Sequence, residues 1–269
     1  MKAVVIGGGS IGLRHSANLN DLGIGTRIID IDEISSIDSI LRGKFDLGLV
    51  CSPNINHVEH CLKLAEHNIP IFCEKPFYSS LQGVEELIKV VKDQGLLTMV
   101  GCNLRFTSEV NSIELPCSYI NVYFGYNLKK WRPHTNHLDS YSSNKRLGGG
   151  ILLDAIHELD YLYYKFGKIK KINYTSRKLT GITRDTDDFV TGSIDFSSGT
   201  HADFCLNYLS DEYTRYFDII KGDTMRRINI VPNNKMYIDE IKYFTSCVKS
   251  GKMPMNNFTE AHYLLKKLL

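Results

Sequence analysis

The sequence predicts an α/β protein in two parts: a doubly wound parallel sheet, followed by a second part with mainly antiparallel strands. Two patterns in the 269 residues predict this division. Over the first hundred residues, short continuous apolar runs alternate with helical periodicity, which is typical of parallel strands buried on both faces. In the rest, several strand-like runs alternate polar and apolar residues, which is typical of antiparallel strands with one solvent-facing side. We place the boundary near residue 105, which gives domains 1–105 and 106–269.

Five strands and three helices are predicted in the first domain. Each strand is a short apolar or β-branched run, and the helix over His57–His67 places its apolar residues on one stripe. The predicted strands are Ala3–Ile6, Thr26–Ile29, Asp46–Cys51, Pro70–Cys73 and Leu96–Gly101. The predicted helices are Leu13–Leu22, His57–His67 and Leu81–Gln94.

The second domain combines five predicted strands with two helices. The turn residues Ser197, Ser198 and Gly199 separate two of the strands, which predicts a hairpin. The strands are Tyr119–Phe124, Ile169–Ser176, Phe189–Phe196, Thr200–Leu206 and Tyr216–Ile220. The helices are Ile151–Phe166, which Gly167 closes, and Met236–Val248.

Composition and charge exclude several classes of protein. The 32 Lys and Arg residues against 30 Asp and Glu give a formal charge of +2, without the clustered basic excess of a nucleic-acid binder. No apolar run approaches the ~20 residues of a membrane helix, and the N-terminal run is too short for a signal peptide. The seven cysteines, an odd number without a CxxC pair, favour reduced thiols. We therefore expect a cytoplasmic protein without nucleic-acid or membrane partners.

A glycine-rich turn follows the first predicted strand. Gly7, Gly9 and Gly12 form a G-x-G-x-x-G pattern between a strand and a helix, the context that a dinucleotide-binding Rossmann fold requires. Gly7 permits the tight turn, Gly9 lets the backbone approach a pyrophosphate, and Gly12 lets the helix pack near the strand. The start of the helix, with Ser10 and Ile11, then offers free N–H groups to the phosphates. The alternative is a glycine-rich turn without a ligand.

Asp30 bears on the choice between the two nicotinamide cofactors. It ends the second predicted strand, where a carboxylate can accept hydrogen bonds from the adenosine ribose hydroxyls. The same carboxylate would repel the 2′-phosphate of NADP, and no Arg or Lys follows within five residues to reverse that preference. The sequence therefore favours NAD over NADP. The alternative is a solvated loop carboxylate or a cap for the next helix.

Five sequence blocks occur in one order along both domains. They are Gly7–Gly12, Cys51-Ser52-Pro53-Asn54, Cys73-Glu74-Lys75-Pro76, Gly101–Phe106 and Gly148–Asp160. Together they resemble the Gfo/Idh/MocA family, which includes glucose-fructose oxidoreductase and inositol dehydrogenase. The glycine turn alone is a weak signal, whereas the block of Glu74, Lys75 and Pro76 joined to the Gly148–Asp160 block is a strong one.

The resemblance implies a fold, a cofactor and a substrate class. The fold is an N-terminal Rossmann domain with a C-terminal α/β domain on an open, mostly antiparallel sheet. The cofactor is a nicotinamide dinucleotide, and the substrate is a sugar, a cyclitol or a related polyol derivative. Because family members often pair through the outer face of the second sheet, the resemblance also implies a homodimer or homotetramer.

The resemblance also implies site residues. Lys75 matches the catalytic lysine of the family, Asp154 its substrate-binding aspartate and His157 its catalytic histidine. In the family, Pro76 often follows a cis peptide bond. The positions that match the cofactor side are Cys51, Ser52, Pro53, Asn54, His57, Glu74, Lys75 and Pro76.

The chemistry of alcohol oxidation fits these residue types. A hydride must leave the carbon for the nicotinamide, while a positioned base accepts the hydroxyl proton. We expect His157, a residue type that titrates near neutrality, to be the general acid/base and Lys75 to polarise the oxygen, although the two roles can be exchanged. Asp154 would bind substrate hydroxyls or orient His157. A structural trio of Asp154, His157 and Asp160 is the alternative.

One spacing departs from the family pattern. The family places its last pair as D-x-x-x-H, whereas Asp154 and His157 form D-x-x-H. On one helix, both spacings put the two side chains on a shared face, so both can reach one pocket.

Arg105 and Trp131 are further candidates on the substrate side. Arg105 follows the last strand of the first domain and can meet a carboxylate or phosphate, or form an interdomain ion pair. Trp131, with Tyr126 and Arg132, can line a pocket or pack in the core. The segment around Trp131 resembles a bacterial subgroup that we associate with surface-glycan and nonulosonic-acid biosynthesis.

The predicted function is therefore NAD-dependent oxidation or reduction of a CH–OH group in a sugar-like molecule. One alternative is a non-catalytic protein of this fold that holds NAD as a sensor or scaffold. Another is an enzyme that oxidises its substrate transiently with tightly held NAD and so permits elimination or hydrolysis. His157-Glu158 lacks the second histidine of an H-E-x-x-H motif, so no catalytic metal is expected.

Overall fold

The computed structural model describes residues 1–133 and 136–269. Residues 1–102 contain five strands: Lys2–Ile6 (β1), Gly25–Ile29 (β2), Leu47–Val50 (β3), Ile71–Glu74 (β4) and Thr98–Gly101 (β5). They also contain four α-helices: Ser10–Asp21 (α1), Ile37–Leu41 (α2), His57–Glu66 (α3) and Val84–Asp93 (α4). The strands form one parallel sheet in the order β2-β1-β3-β4-β5. Val5, Leu49 and Phe72 expose no surface, so the predicted parallel sheet with two covered faces is confirmed.

Residues 103–233 are built on a six-stranded sheet. The strands are Tyr119–Gly125 (β6), Ile169–Arg177 (β7), Phe189–Phe196 (β8), His201–Asn207 (β9), Thr214–Lys221 (β10) and Thr224–Asn229 (β11). The α-helices are Ser108–Asn111 (α5), Leu128–Trp131 (α6), Ile151–Asp154 (α7) and Ile156–Phe166 (α8). The sheet order is β11-β10-β6-β9-β8-β7, in which β6 and β9 pair in parallel and the other neighbours pair antiparallel. The predicted mostly antiparallel second sheet is therefore confirmed.

The last residues return to the first compact unit. Asn234–Ser250 (α9) and Phe258–Leu265 (α10) belong with Met1–Cys102, while Asn103–Asn233 form the second unit. The backbone N–H of Val100 in β5 donates to the Asn256 carbonyl at 2.9 Å, and Asn256 Nδ2 donates to the Val100 carbonyl at 2.8 Å. These bonds satisfy backbone groups on an edge strand, which explains why the chain returns there. The sequence-based domain 106–269 differs, because it assigns these helices to the second domain.

The structure also breaks one predicted helix. Instead of a single helix over Ile151–Phe166, α7 ends at Asp154 and α8 begins at Ile156, with Ala155 at φ −98° and ψ 26°. Asp154 and His157 therefore lie on two consecutive helices, and the argument from one shared helix face was wrong. Among the described residues, no helix is both long and apolar enough to cross a lipid bilayer.

Candidate cofactor and substrate sites

The glycine turn connects β1 to α1 and has the geometry of a phosphate-binding turn. Gly7 has φ +109°, and a side chain there would lie 2.7 Å from the backbone of Cys51. A side chain on Gly12 would collide with the Gly7 carbonyl oxygen, so the close strand–helix contact requires glycine. Around Gly9, by contrast, a side chain would meet no atom within 4 Å, and no side chain caps the start of α1. The open space beside uncapped N–H groups fits a pyrophosphate.

Asp30 lies at the carboxyl end of β2, beside the same turn. Its Oδ1 accepts a hydrogen bond from the Ile31 backbone N–H at 2.9 Å, which caps the short helical segment that follows. The carboxylate also lies over Gly8, where an added side chain would collide with Oδ2. Asp30 is solvent-exposed. Capping and ribose binding are compatible, because an exposed carboxylate has further lone pairs for ribose hydroxyls.

Two loops at the carboxyl ends of β3 and β4 hold the remaining cofactor-side candidates. Cys51, Ser52, Pro53 and Asn54 follow β3, with Cys51 and Asn54 buried. Glu74 ends β4, and the Lys75–Pro76 peptide bond is cis, as the resemblance implied. Because parallel strands end at one edge of a sheet, these loops and the glycine turn share the edge at which α/β sheets bind ligands.

Glu74 has a buried partner that the sequence analysis missed. His15 Nε2, in α1, donates to Glu74 Oε1 at 2.6 Å, and the Lys75 backbone N–H donates to Glu74 Oε2 at 3.2 Å. Burial alone would raise the pKa of Glu74, but the hydrogen bond and charge of His15 lower it. The pair links α1 to the loop that carries Lys75. The Lys75 side chain is half-buried.

His57 connects the two loops through their backbones. Its Nδ1 lies 2.8 Å from the Pro76 carbonyl oxygen and its Nε2 lies 2.8 Å from the Ser52 carbonyl oxygen. The side chain is buried. Burial alone would lower the pKa of His57, but Cys73 and the two carbonyl oxygens raise it to about 9. The His57 ring therefore lies between the two expected cofactor loops, those after β3 and β4, and contacts a backbone carbonyl of each.

In the second unit, Asp154 forms the centre of a buried polar cluster. Asp154 is 1% exposed, and Tyr208 Oη donates to its Oδ2 at 2.6 Å. Burial raises the pKa of Tyr208 well above its usual value, and the adjacent Asp154 carboxylate adds to this. His157, at the start of α8, is 8% exposed. Asp154 is thus a fixed hydrogen-bond acceptor close in sequence to the candidate base.

An aromatic group surrounds Trp131 in the same unit. The Trp131 ring contacts Phe124, Tyr126 and Tyr208, with centroid distances of 5.5, 6.3 and 6.0 Å. The segment is fixed to the end of β9, because the Leu128 backbone N–H donates to the Tyr208 carbonyl at 3.2 Å. Trp131 is half-buried. A half-buried indole of this kind keeps part of its apolar surface accessible while its neighbours remain packed.

Arg105 forms a buried ion pair with Asp160. Its Nε and Nη2 donate to the two carboxylate oxygens of Asp160, both at 2.7 Å, and its side chain is 2% exposed. Both residues belong to the second unit. The geometry favours the structural alternative for Arg105, although within one unit rather than between domains. Both carboxylate oxygens of Asp160, a member of the suggested trio, accept hydrogen bonds from Arg105.

Each unit thus brings together part of the predicted site. The cofactor-side candidates converge at one edge of the first sheet, while Asp154, Trp131 and their tyrosine neighbours form a group in the second unit. Reasoning from sequence did not assign His15, whose only signal was a polar residue on the buried face of α1. Within the described ranges, no group of three or more His, Cys, Asp or Glu side chains could hold a metal ion.

Comparisons with known proteins identify the family of both units. The family description "Oxidoreductase family, NAD-binding Rossmann fold" matches residues 26–102, and the "GFO/IDH/MocA C-terminal domain" matches residues 120–224. A 2,7-anhydro-N-acetylneuraminate hydratase of Mediterraneibacter gnavus is 24% identical over 185 residues, covering 65% of this chain and 49% of the relative. A myo-inositol 2-dehydrogenase of Thermotoga maritima is 29% identical over 197 residues, covering 62% of this chain and 55% of the relative.

A solved structure shows the same fold over the full chain. An oxidoreductase from Agrobacterium radiobacter, in complex with NAD+, L-tartaric acid and magnesium, matches with a TM-score of 0.82 at 14% identity. The match covers 100% of this chain and 94% of that one. The chain spans about half the length of the curated relatives described above. The two matched segments together cover more than half of the sequence, and the chain belongs to the Gfo/Idh/MocA oxidoreductase family, with its NAD-binding Rossmann fold.

Proposed function

We propose that this chain is a NAD-dependent oxidoreductase that acts on a CH–OH group of a sugar, a cyclitol or a related derivative. The observation that carries the proposal is the edge of the first sheet, where the open glycine turn and Lys75 share one set of strand ends. The exposed Asp30 carboxylate supports NAD over NADP, because it would repel a 2′-phosphate. When bound, NAD supplies a hydride acceptor.

The protein side chains would manage the proton and the substrate oxygen. In this proposal the His157 imidazole takes the proton of the reacting hydroxyl, and Lys75 donates a hydrogen bond to the same oxygen. Asp154, held by the Tyr208 hydroxyl, accepts a hydrogen bond from a substrate hydroxyl or from His157. The roles of Lys75 and His157 can be exchanged. The aromatic group at Trp131 would exclude water from one side of the sugar.

The test separates cofactor binding from turnover. NADH binding is followed by nicotinamide fluorescence, and NAD reduction is measured across a panel of sugars, cyclitols and sugar derivatives. We expect His157→Ala to bind NADH normally and to lose turnover, and Lys75→Ala to lose turnover as well. Lys89→Ala, on the exposed side of α4, is a matched control. Full activity in either His157→Ala or Lys75→Ala would refute their assignment.

The Mediterraneibacter relative supports a second reaction type. Its name is that of a hydratase, and transient oxidation by tightly held NAD is one route to the addition or removal of water. The same name supports a nonulosonic-acid derivative as the substrate class. The two reaction types differ in one readout, since transient oxidation yields product from the acidic sugar with no net accumulation of NADH. A chain that binds NADH but transforms no compound in the panel would favour a sensor or scaffold instead.

We also propose that copies of the chain associate through the second sheet, as family resemblance implies. Strand β7 of this sheet carries Tyr174, an aromatic residue that is 36% exposed. Light scattering after size-exclusion chromatography would give the mass of the assembly, and a monomer at micromolar concentration would contradict the proposal.

A further inference from the structure

Arg132 differs from the other buried arginines of the second unit. Arg105 and Arg215 each form a close ion pair, with Asp160 and Glu158 respectively. No carboxylate in residues 1–133 or 136–269 forms an ion pair with Arg132, although the residue is half-buried. The Arg132 guanidinium therefore lacks the close carboxylate contact that Arg105 and Arg215 make.

Neutral hydroxyls are the hydrogen-bond partners of Arg132. Its Nη2 donates to Tyr141 Oη at 2.9 Å and to Ser142 Oγ at 3.2 Å. Its Nε is buried and has no acceptor among the residues that the structure describes. A buried N–H of a cation without an acceptor is costly, so the guanidinium is incompletely satisfied by the described residues. Nη1 makes no hydrogen bond to a described residue either and, unlike Nε, is not buried, so it is the nitrogen that a ligand can reach.

Aromatic rings fix the orientation of the guanidinium. Its central carbon lies 5.2 Å from the Trp131 ring centre and 5.0 Å from that of Tyr141. Cation–π contacts hold the group in place and leave the hydrogen bonds to form in its plane. A fixed guanidinium that still has the N–H groups of Nη1 to offer matches a charged carboxylate or phosphate oxygen better than a neutral sugar hydroxyl.

The position of Arg132 places this cation beside the polar cluster of Asp154. Trp131, the residue before it, contacts Tyr208, which donates its hydroxyl to Asp154. Burial alone would lower the pKa of Arg132, but Tyr141 and Asp154 raise it. The second unit thus offers a carboxylate acceptor for hydroxyls and, close enough to feel its charge, a cation that forms no direct ion pair with a described carboxylate.

We propose that Arg132 binds an anionic group of the substrate, a carboxylate or a phosphate, and thereby selects acidic sugar derivatives over neutral ones. This inference rests on the proposed function, because it assumes that a sugar-like substrate occupies the region of Asp154 and Trp131. Arg105 was the sequence-based candidate for binding an anionic substrate group, but in the structure Arg105 binds the carboxylate of Asp160. Arg132 takes over that role as a residue that determines specificity.

The chain contains its own reporter for the test. Trp131 is the single tryptophan, and it adjoins Arg132, so intrinsic fluorescence reports binding there without turnover. The full chain is titrated at saturating NAD with two pairs of probes. N-acetylneuraminate and its methyl ester test a carboxylate, while D-glucose 6-phosphate and D-glucose test a phosphate. We expect one acidic member to bind about 10- to 100-fold more tightly than its neutral partner, as hydrogen bonds to a charged group provide.

Three variants separate recognition from structure. Arg132→Gln should remove the preference for the acid, and Arg132→Lys should retain part of it, because a point charge remains without the planar fork. Lys129→Gln changes an exposed cation on α6, the short helix that ends just before Arg132, and should leave the preference intact. Circular dichroism verifies the fold of each variant, and the comparison of acid with neutral probe in the unaltered chain does not depend on any variant folding.

The outcomes also separate this inference from the proposed function. Equal affinity for acid and neutral probes, a preference that survives Arg132→Gln, or no saturable fluorescence change with any probe would overturn the role of Arg132. NAD-dependent turnover of neutral polyols together with such a result would leave the oxidoreductase proposal standing. A preference for one acid that Arg132→Gln abolishes, without turnover of any alcohol, would support the anion site and contradict the proposed reaction.

Discussion

The buried ring of His57 predicts a pH-dependent contribution to stability. Both ring nitrogens lie 2.8 Å from carbonyl oxygens, which only accept hydrogen bonds. A neutral imidazole carries one N–H, so only the doubly protonated ring can donate to both oxygens. We therefore expect His57→Gln to reduce the free energy of unfolding strongly at slightly acid pH and much less at alkaline pH.

The magnitude follows from the pKa of His57. Burial lowers this pKa, but Cys73 and the carbonyl oxygens raise it from 6.5 to about 9. At about 1.4 kcal/mol for each pKa unit, the protonated ring contributes up to roughly 3 kcal/mol to stability. Because the pKa is raised in the folded state, this contribution is fully present below pH 6.5 and is lost as the pH rises through about 9.

Urea unfolding followed by circular dichroism gives the measurement. Unaltered chain and His57→Gln are compared below pH 6.5 and above pH 9. Burial raises the pKa of the neighbouring Cys51 and Cys73 thiols well above the usual range. His67→Gln, just beyond the C-terminal end of α3 and partly exposed, is the matched control. An equal loss of stability at both pH values would refute the reasoning.

Four further substitutions test other described residues. Arg105→Ala should leave the Asp160 carboxylate buried without its partner, and the free energy of unfolding measured in urea should fall by ~3–5 kcal/mol. A fall below ~1 kcal/mol is typical of a solvent-exposed ion pair and would contradict the argument from burial. Gly9→Ala should leave thermal stability unchanged but weaken NADH binding by about tenfold or more, since its side chain enters open space that the pyrophosphate needs. Gly12→Ala should reduce both, because its side chain collides with the turn itself, and equal behaviour of the two variants would contradict this distinction. Asp30→Ala should weaken NAD binding relative to NADP in fluorescence titrations, and unchanged affinity for NAD would remove Asp30 from the cofactor site.

The first sheet could be predicted because its local patterns and its tertiary environment agree. Runs such as the one in β3 are apolar on both faces, and the parallel sheet buries both. The carboxyl-end loops follow from strand direction alone, which is why Ser52 and Lys75 could be placed near the glycine turn. The return of α9 and α10 to this unit could not be predicted, because it depends on bonds between Asn256 and Val100, far apart in the sequence.

The partners of the site residues were harder to predict than the residues themselves. Asp154 was selected from a motif, but its contact with Tyr208 joins residues 54 positions apart. Arg105 fitted a substrate-binding role in sequence, yet a bidentate contact with Asp160 occupies it. The break at Ala155 also has no strong signal, since alanine favours helix and the residues around it keep helical periodicity.

The discontinuity of the first unit has a consequence for synthesis of the chain. Strand β5 emerges from the ribosome long before Asn256, the residue whose backbone and side chain satisfy its edge. Until Asn256 is synthesised, the edge of β5 in the first unit is unprotected, and an exposed strand edge of this kind promotes aggregation. An expression fragment that stops after residue 105 would keep that strand edge exposed, so a truncation that preserves the first unit needs residues 234–269 as well as residues 1–102.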